Sequence, residues 1–260
     1  MANKPVKFKT GYVIGNRWYM IKKIGSGTFG TVFECVDLVT KLHVAIKIEF
    51  ANPYKNTSLM LKHEKNILEK LQDRAHFCSF FQYGVQFQNN YPYKESFYYI
   101  AMELQGENFS KLQNGKYYYV NIKISSTMKS FLFPYFRKMI FFFNFIFSVQ
   151  PNGVFSIATT LRLGYRLLKA IESMHLKGFL HRDIKPKNIV ISQNARDIFL
   201  VDFGVSRKYT NEFGKILPER NLPPNQNGNI TGTANYVSTN GHKFRDLGKH
   251  IIKYETNIHM

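Results

Sequence analysis

Residues 181–188 read His181-Arg182-Asp183-Ile184-Lys185-Pro186-Lys187-Asn188, and Asp202-Phe203-Gly204 begins nineteen residues after the aspartate of that octapeptide. These residue types at this spacing suit phosphoryl transfer, where catalysis is mostly positioning and charge neutralisation. Asp183 is the candidate base, oriented to accept a proton from an acceptor hydroxyl. Lys185 can neutralise charge on the migrating group. Asn188 and Asp202 offer hard oxygens to Mg²⁺, an ion that binds through few protein groups and takes its other ligands from phosphates. His181 and Arg182 read as supports of the loop.

Phosphates also need a cradle, and Ile24 leads into Gly25-Ser26-Gly27-Thr28-Phe29-Gly30-Thr31-Val32. Alone this G-x-G-x-x-G-x-V pattern is weak, because dinucleotide-binding folds space their glycines similarly. Those folds enter a helix at the third glycine and show an acid about twenty residues later. Here Thr31–Val36 is β-branched and aromatic, a turn follows near residues 37–41, and Val44–Glu49 reads as a second strand carrying Lys47. Glycines between two strands let a hairpin close over phosphates with its N–H groups exposed. A lysine in an apolar strand needs an anionic partner. The spacing predicts a helix over residues 58–72 with Leu61, Ile67, Leu68 and Leu71 as its apolar stripe, and Glu64 on that helix is the candidate partner. Glu64 also reads as a solvated surface acid; the lysine motif favours the ion pair.

Residues 97–104 follow a strand pattern ending at Gln105-Gly106. Residues 157–177 have helical spacing, with Leu161, Leu167, Leu168, Ile171 and Met174 as the apolar positions and Gly178 as the stop. The bulk numbers permit one large domain or two lobes: 260 residues, 44% of them hydrophobic. The formal net charge of +19 favours acidic partners, although a basic surface also serves solubility. Cys35 and Cys78 form no disulfide framework and suggest a reducing compartment. The first ten residues have no apolar run and so no secretory signal.

Together these motifs resemble the protein kinase superfamily, and more finely its casein kinase one group, tau-tubulin kinase-like branch. The finer match rests on Lys23-Ile24-Gly25, Met102-Glu103-Leu104-Gln105-Gly106, Thr160-Leu161-Arg162-Leu163-Gly164, Ile171–His175 and Gly178–Pro186. The resemblance implies an α+β fold of two lobes: an antiparallel sheet with one helix, then a mainly helical lobe, with the site between them. It implies domains of 1–14 (extension), 15–104 (first lobe), 105–250 (a partial second lobe) and 251–260 (an unrelated tail). It implies ATP held by Ile24, Gly25, Ser26, Gly27, Thr28, Phe29, Gly30, Val32, Ala45 and Lys47, with Met102, Glu103 and Gln105 about the adenine. It further implies Asp183, Lys185, Lys47 and Glu64 as the catalytic set and Asn188 and Asp202 as ligands of Mg²⁺. Lysine before Pro186 leans towards serine and threonine acceptors. Family members commonly place arginine where this chain has Asn235; asparagine cannot supply a charged, bidentate phosphate contact, which argues against selection for pre-phosphorylated substrates.

Two stretches depart from the family. Residues 115–149 carry eight of the 24 phenylalanines and no acid. The run is too interrupted to span a membrane, lacks the polar face of an amphipathic anchor, and is unlike a polar loop. Gly115-Lys116-Tyr117 can be encoded GGT-AAG-TAT, containing a splice donor, and Phe147-Ser148-Val149 can contain an acceptor. The segment therefore reads as an unspliced intron whose removal restores the frame. After Gly248-Lys249-His250 the family continues into further helices, which residues 251–260 do not resemble, so a truncated second lobe is expected. The leading expectation is an ATP-dependent serine/threonine protein kinase, monomeric, acting on protein substrates with an acidic tendency, in the cytoplasm or also the nucleus. The alternative is a catalytically impaired, kinase-derived module that binds nucleotide or partners. No nucleic-acid motif is present, and a membrane role is not favoured.

Overall fold

Strand-forming residues dominate the first hundred positions, and the chain pairs them into one antiparallel sheet. The computed structural model describes residues 8, 10–27, 30–50, 60–90, 93–114, 157–218 and 231–237. They fall into two units, residues 1–72 with 78–105, and residues 73–77 with 106–260. Residues 115–149 and the tail 251–260, on which the intron and truncation readings rest, lie outside the described residues. Among the described residues no helix is long and apolar enough to cross a membrane.

In the first unit, β1 (Val13–Ile14), β2 (Trp18–Gly27), β3 (Gly30–Asp37), β4 (His43–Phe50), β5 (Phe80–Asn90) and β6 (Tyr93–Glu103) lie in the order β1-β2-β3-β4-β6-β5. Period-two alternation sorts their side chains onto two faces. One face is an apolar core of Trp18, Met20, Phe33, Cys35, Val44, Ile46, Ile48, Phe97 and Tyr99, with Phe8 and Tyr12 packed against it. Phe8 sets its ring 5.2–5.6 Å from those of Tyr12, Phe33, Phe50 and Phe97. The other face carries Val32, Ala45, Lys47, Ile100 and Met102, because Val32 and Ile100 stand opposite Lys47, and Met102 opposite Ala45. The single helix among the described residues of this unit, α1 (Met60–Lys70), buries Leu61, Glu64, Ile67 and Leu68. The sheet and one helix match the expectation for the first lobe, while β5 had no counterpart in the sequence reading. Its Gly84 makes room for Tyr99: a Cβ there would lie 2.5 Å from the tyrosine ring.

Burial pushes the thiols of Cys35 and Cys78 up to about 12, so neither is a nucleophile near neutral pH. The β2–β3 end of the sheet is braced by Arg17, whose Nε and Nη2 donate to Asp37 Oδ1 and Oδ2 at 2.8 and 2.7 Å. Thr40 Oγ1 and the Val39 N–H donate to the same carboxylate. The guanidinium lies 4.4 Å from the Trp18 ring centroid.

In the second unit, α2 (Phe109–Asn114) and α3 (Ile157–Leu176) are followed by two small ladders. β7 (Phe179–Leu180) pairs with β10 (Arg207–Lys208), and β8 (Ile189–Ile191) pairs with β9 (Ile198–Leu200). The buried seam of α3 is Leu163, Leu167, Ala170 and Met174. This corrects the expected stripe: Leu168 and Ile171 only flank the seam, half-buried, because a 4-3-4 spacing keeps one line facing the core and they sit one step off it. Leu161 lies among the side chains not described. Gly178 ends α3 as expected, with φ +78°, and a Cβ there would meet Thr210 Oγ1 at 2.0 Å.

The hydrogen bonds from Arg17 hold the Asp37 carboxyl well below the usual carboxylate range. A depressed folded value contributes stability above the unfolded value of about 4, lost as pH falls towards the folded one. Thermal melts of the intact protein should therefore decline in Tm below about pH 4. Asp37→Asn should show a lower Tm at neutral pH and a shallower decline on acidification.

Candidate active site

Each unit carries its own cluster of the residues that the sequence singles out. In the first unit, β4 presents Lys47 and α1 presents Glu64. Lys47 Nζ lies 2.6 Å from Glu64 Oε2, with the two side chains 8% and 4% exposed. A charge this far from water must be paired. Glu64 thus sits within the apolar stripe of α1 because its partner lies there, and the solvated-acid reading falls.

The glycine hairpin grows from the same sheet. Gly25 stands opposite Val32, Ser26 opposite Thr31 and Gly27 opposite Gly30, with Ile24 preceding them on β2. Gly30 adopts φ +130°, and a Cβ there would lie 2.4 Å from the Ile48 carbonyl oxygen. Only glycine fits that crossing. Thr28 and Phe29 lie outside the described residues. Register brings Val32, Ala45, Lys47 and Met102 onto one face, beside the hairpin. Glu103 commits its carboxylate to the N–H and hydroxyl of Ser79 at 3.1 and 3.0 Å, and its own N–H donates to the Ser79 carbonyl at 2.9 Å. Gln105 has its Nε2 buried with no hydrogen-bond partner, a donor that a bound acceptor would satisfy.

In the second unit, four donors converge on Asp183, whose side chain is 3% exposed. Its Oδ1 accepts from the Thr233 N–H at 2.9 Å and from Thr233 Oγ1 at 2.8 Å. Its Oδ2 accepts from Lys185 Nζ at 2.5 Å and from Asn188 Nδ2 at 3.1 Å. Lys185 also donates to Thr233 Oγ1 at 2.7 Å, which closes a three-residue ring of hydrogen bonds. Lys185 and Asn188 come together because Pro186–Asn188 forms one turn of 3-10 helix, with the Asn188 N–H donating to the Lys185 carbonyl.

The β8–β9 ladder brings the two candidate cation ligands to one end. Asn188 directly precedes β8, Val201 directly follows β9, and the Val201 N–H donates to the Asn188 carbonyl at 3.0 Å. Asp202 is the next residue. The amide nitrogen of Asn188 is spent on Asp183, on its carbonyl at 2.9 Å and on its carboxylate, so the amide oxygen is the atom left to a cation. No group of three or more His, Cys, Asp or Glu converges among the described residues. One amide oxygen and one carboxylate do fit Mg²⁺, which completes its octahedron with phosphate and water.

His181 supports this arrangement as expected. Its Nε2 donates to the Val201 carbonyl at 3.1 Å and its Nδ1 accepts from the Asp183 N–H at 3.2 Å. That pair of bonds requires the neutral ring, and burial lowers its pKa accordingly. The ring lies edge-on to Phe203 at 5.5 Å. Arg182 donates from Nε to the Val205 carbonyl at 2.6 Å. Arg182 and Asp202 both have φ +68°, a left-handed backbone that costs on the order of 1–3 kcal/mol per non-glycine residue.

The sequence reading gave no role to Thr233, fifty residues beyond Asp183, or to Gly232 beside it. Gly232 has φ +96°, and a Cβ there would lie 2.6 Å from the Arg182 carbonyl oxygen. The available signal was the dipeptide itself, a glycine before a small hydroxyl residue.

A family model described as a protein kinase domain matches residues 18–240. A probable serine/threonine-protein kinase of Dictyostelium discoideum is 32% identical over 247 residues, which cover 94% of this chain and 40% of that protein. The chain thus spans about two-fifths of the length of this curated relative.

Gly232→Ala should cost about 1–3 kcal/mol of stability through strain and the lost Thr233 contacts. Denaturant unfolding checks this, and a cost near zero would mean that residues 231–237 do not hold Asp183.

Proposed function

The chain belongs to the protein kinase family, and from that premise we propose that it transfers the γ-phosphoryl of ATP to serine and threonine hydroxyls of proteins. Protein kinase domains take ATP and Mg²⁺, the ion supplying charge neutralisation at the phosphates. In this reading Asp183 orients the acceptor hydroxyl and takes its proton, and Lys185 meets the charge of the transferring group. Asn188 and Asp202 hold the ion, and Lys47, fixed by Glu64, contacts the nucleotide phosphates. The glycine hairpin covers those phosphates, with Ala45, Val32 and Met102 beside the base. The observation that carries the reading is the set of four donors on Asp183. It holds a buried carboxylate in one orientation beside a lysine and a metal-ligand candidate, the preorganisation that phosphoryl transfer requires.

The finer kinship proposed is the casein kinase one group, tau-tubulin kinase-like branch, supported by the segments 23–25, 102–106 and 178–186. A net charge of +19 supports acidic protein substrates. Asn235, exposed on the one-turn helix Ala234–Tyr236, supports indifference to prior phosphorylation. Phosphorylated and plain versions of one acidic peptide should be turned over at similar rates; strong preference for the phosphorylated one would overturn this part.

The test of the whole reading is Mg²⁺-dependent ADP release with phosphate appearing on serine or threonine of a protein substrate. Asp183→Asn should lower kcat by at least about 100-fold, the usual range for losing a general base. Thr233→Val should lower kcat about tenfold or more with little change in KM for ATP, since it loosens Asp183 and Lys185 alone. Stabilisation by ATP and Mg²⁺ without any turnover would favour the kinase-derived binding module instead.

A further inference from the structure

The pairing of Lys47 with Glu64 works only if α1 stays at one height along β4, and the helix by itself is poorly equipped to stay there. Its first turn, Met60-Leu61-Lys62-His63, contains no acidic residue. It carries basic side chains at the end where the helix dipole favours negative charge. The first N–H groups of any helix lack intrahelical partners, and here Leu61 is fully buried, so water is not at hand. The partner comes from the sheet. Glu49 Oε2 accepts from the Leu61 N–H at 2.7 Å.

Glu49 lies two residues beyond Lys47 on β4 and so shares its face. Leu61 lies three residues before Glu64 on α1 and so shares its face. One strand therefore grips one helix at two points. Lys47 holds Glu64 by an ion pair, and Glu49 holds the first turn by a charge-assisted hydrogen bond. Together with the buried Leu61, Ile67 and Leu68, the two contacts set the height and rotation of the helix.

We infer that Glu49 is a positioning residue for the nucleotide site, acting through α1 to hold Glu64 against Lys47. The inference rests on the kinase reading above. Its chemistry distinguishes two parts of the effect. An acceptor at position 49 satisfies the Leu61 N–H, and a negative charge there suits the positive end of the helix dipole.

The test compares Glu49→Ala and Glu49→Gln in the intact protein. Glu49→Ala should speed hydrogen exchange at Leu61 and the first turn of α1. It should also raise KM for ATP about fivefold or more, in line with the loss of a helix-capping acceptor. Glu49→Gln, which keeps the acceptor, should recover most of both. The inference is overturned if Glu49→Ala lowers Tm while KM for ATP and kcat stay at the parent values. It is overturned equally if exchange in the first turn is unchanged, or if Glu49→Gln is as damaging as Glu49→Ala. Should the parent protein release no ADP, the proposed activity fails on its own. Exchange at Leu61 and calorimetric affinity for ATP with Mg²⁺ then still decide the role of Glu49.

Discussion

A carboxylate withdrawn from water governs the second unit. Asp183 lies buried, and its two oxygens collect four donors from three residues, Lys185, Asn188 and Thr233. Such a group is costly unless every lone pair is met. The surrounding backbone accordingly takes conformations it would otherwise avoid. Arg182 and Asp202 are left-handed, and Gly232 passes against the Arg182 carbonyl where no side chain fits. Strain is thus concentrated around one carboxyl group and is offset by the hydrogen bonds that fix it. In the proposed reaction a substrate hydroxyl displaces one of these donors while the others keep the carboxylate aimed.

The first unit solves the same problem with a lysine. The sheet separates two incompatible demands by its alternation. One face is an apolar core closed by Phe8 and Tyr12, and the other keeps Lys47 beside Val32, Ala45 and Met102. Neither face could hold both sets. The core supplies the burial that makes the sheet rigid, and the rigidity lets a buried ammonium be aimed rather than merely tolerated. Glu64 neutralises it from α1, and Glu49 from the same strand fastens the start of that helix.

Much of this was legible beforehand because it is local. The glycine hairpin, the strand carrying Lys47, the helix carrying Glu64 and the octapeptide at residues 181–188 each announce themselves within a few residues. Their periodicities, two for strands and 3.6 for helices, depend on backbone geometry alone. The errors were also local in kind. Leu168 and Ile171 are as apolar as Leu163 and Leu167, and apolarity alone does not say which line of a helix meets the core. β5 alternates Phe81, Tyr83, Val85 and Phe87 with Gln82, Gly84 and Gln86, yet Phe81, Val85 and Phe87 are exposed. The other side is the one that packs, where Gly84 yields to Tyr99 and where Gln82 and Gln86 bond Trp18 and Tyr12.

The sequence by itself determined which groups are available for chemistry: two aspartates, an asparagine, a lysine in each unit and a glycine hairpin. Their identity follows from residue type and short spacing. The tertiary structure alone decided which groups hold them in place. Thr233 reaches Asp183 across fifty residues, and Glu49 reaches the N–H of Leu61 across twelve. Neither distance has a period, so no pattern along the chain can record it. Those contacts exist because separate elements pack and leave a buried charge or a buried N–H that something must satisfy.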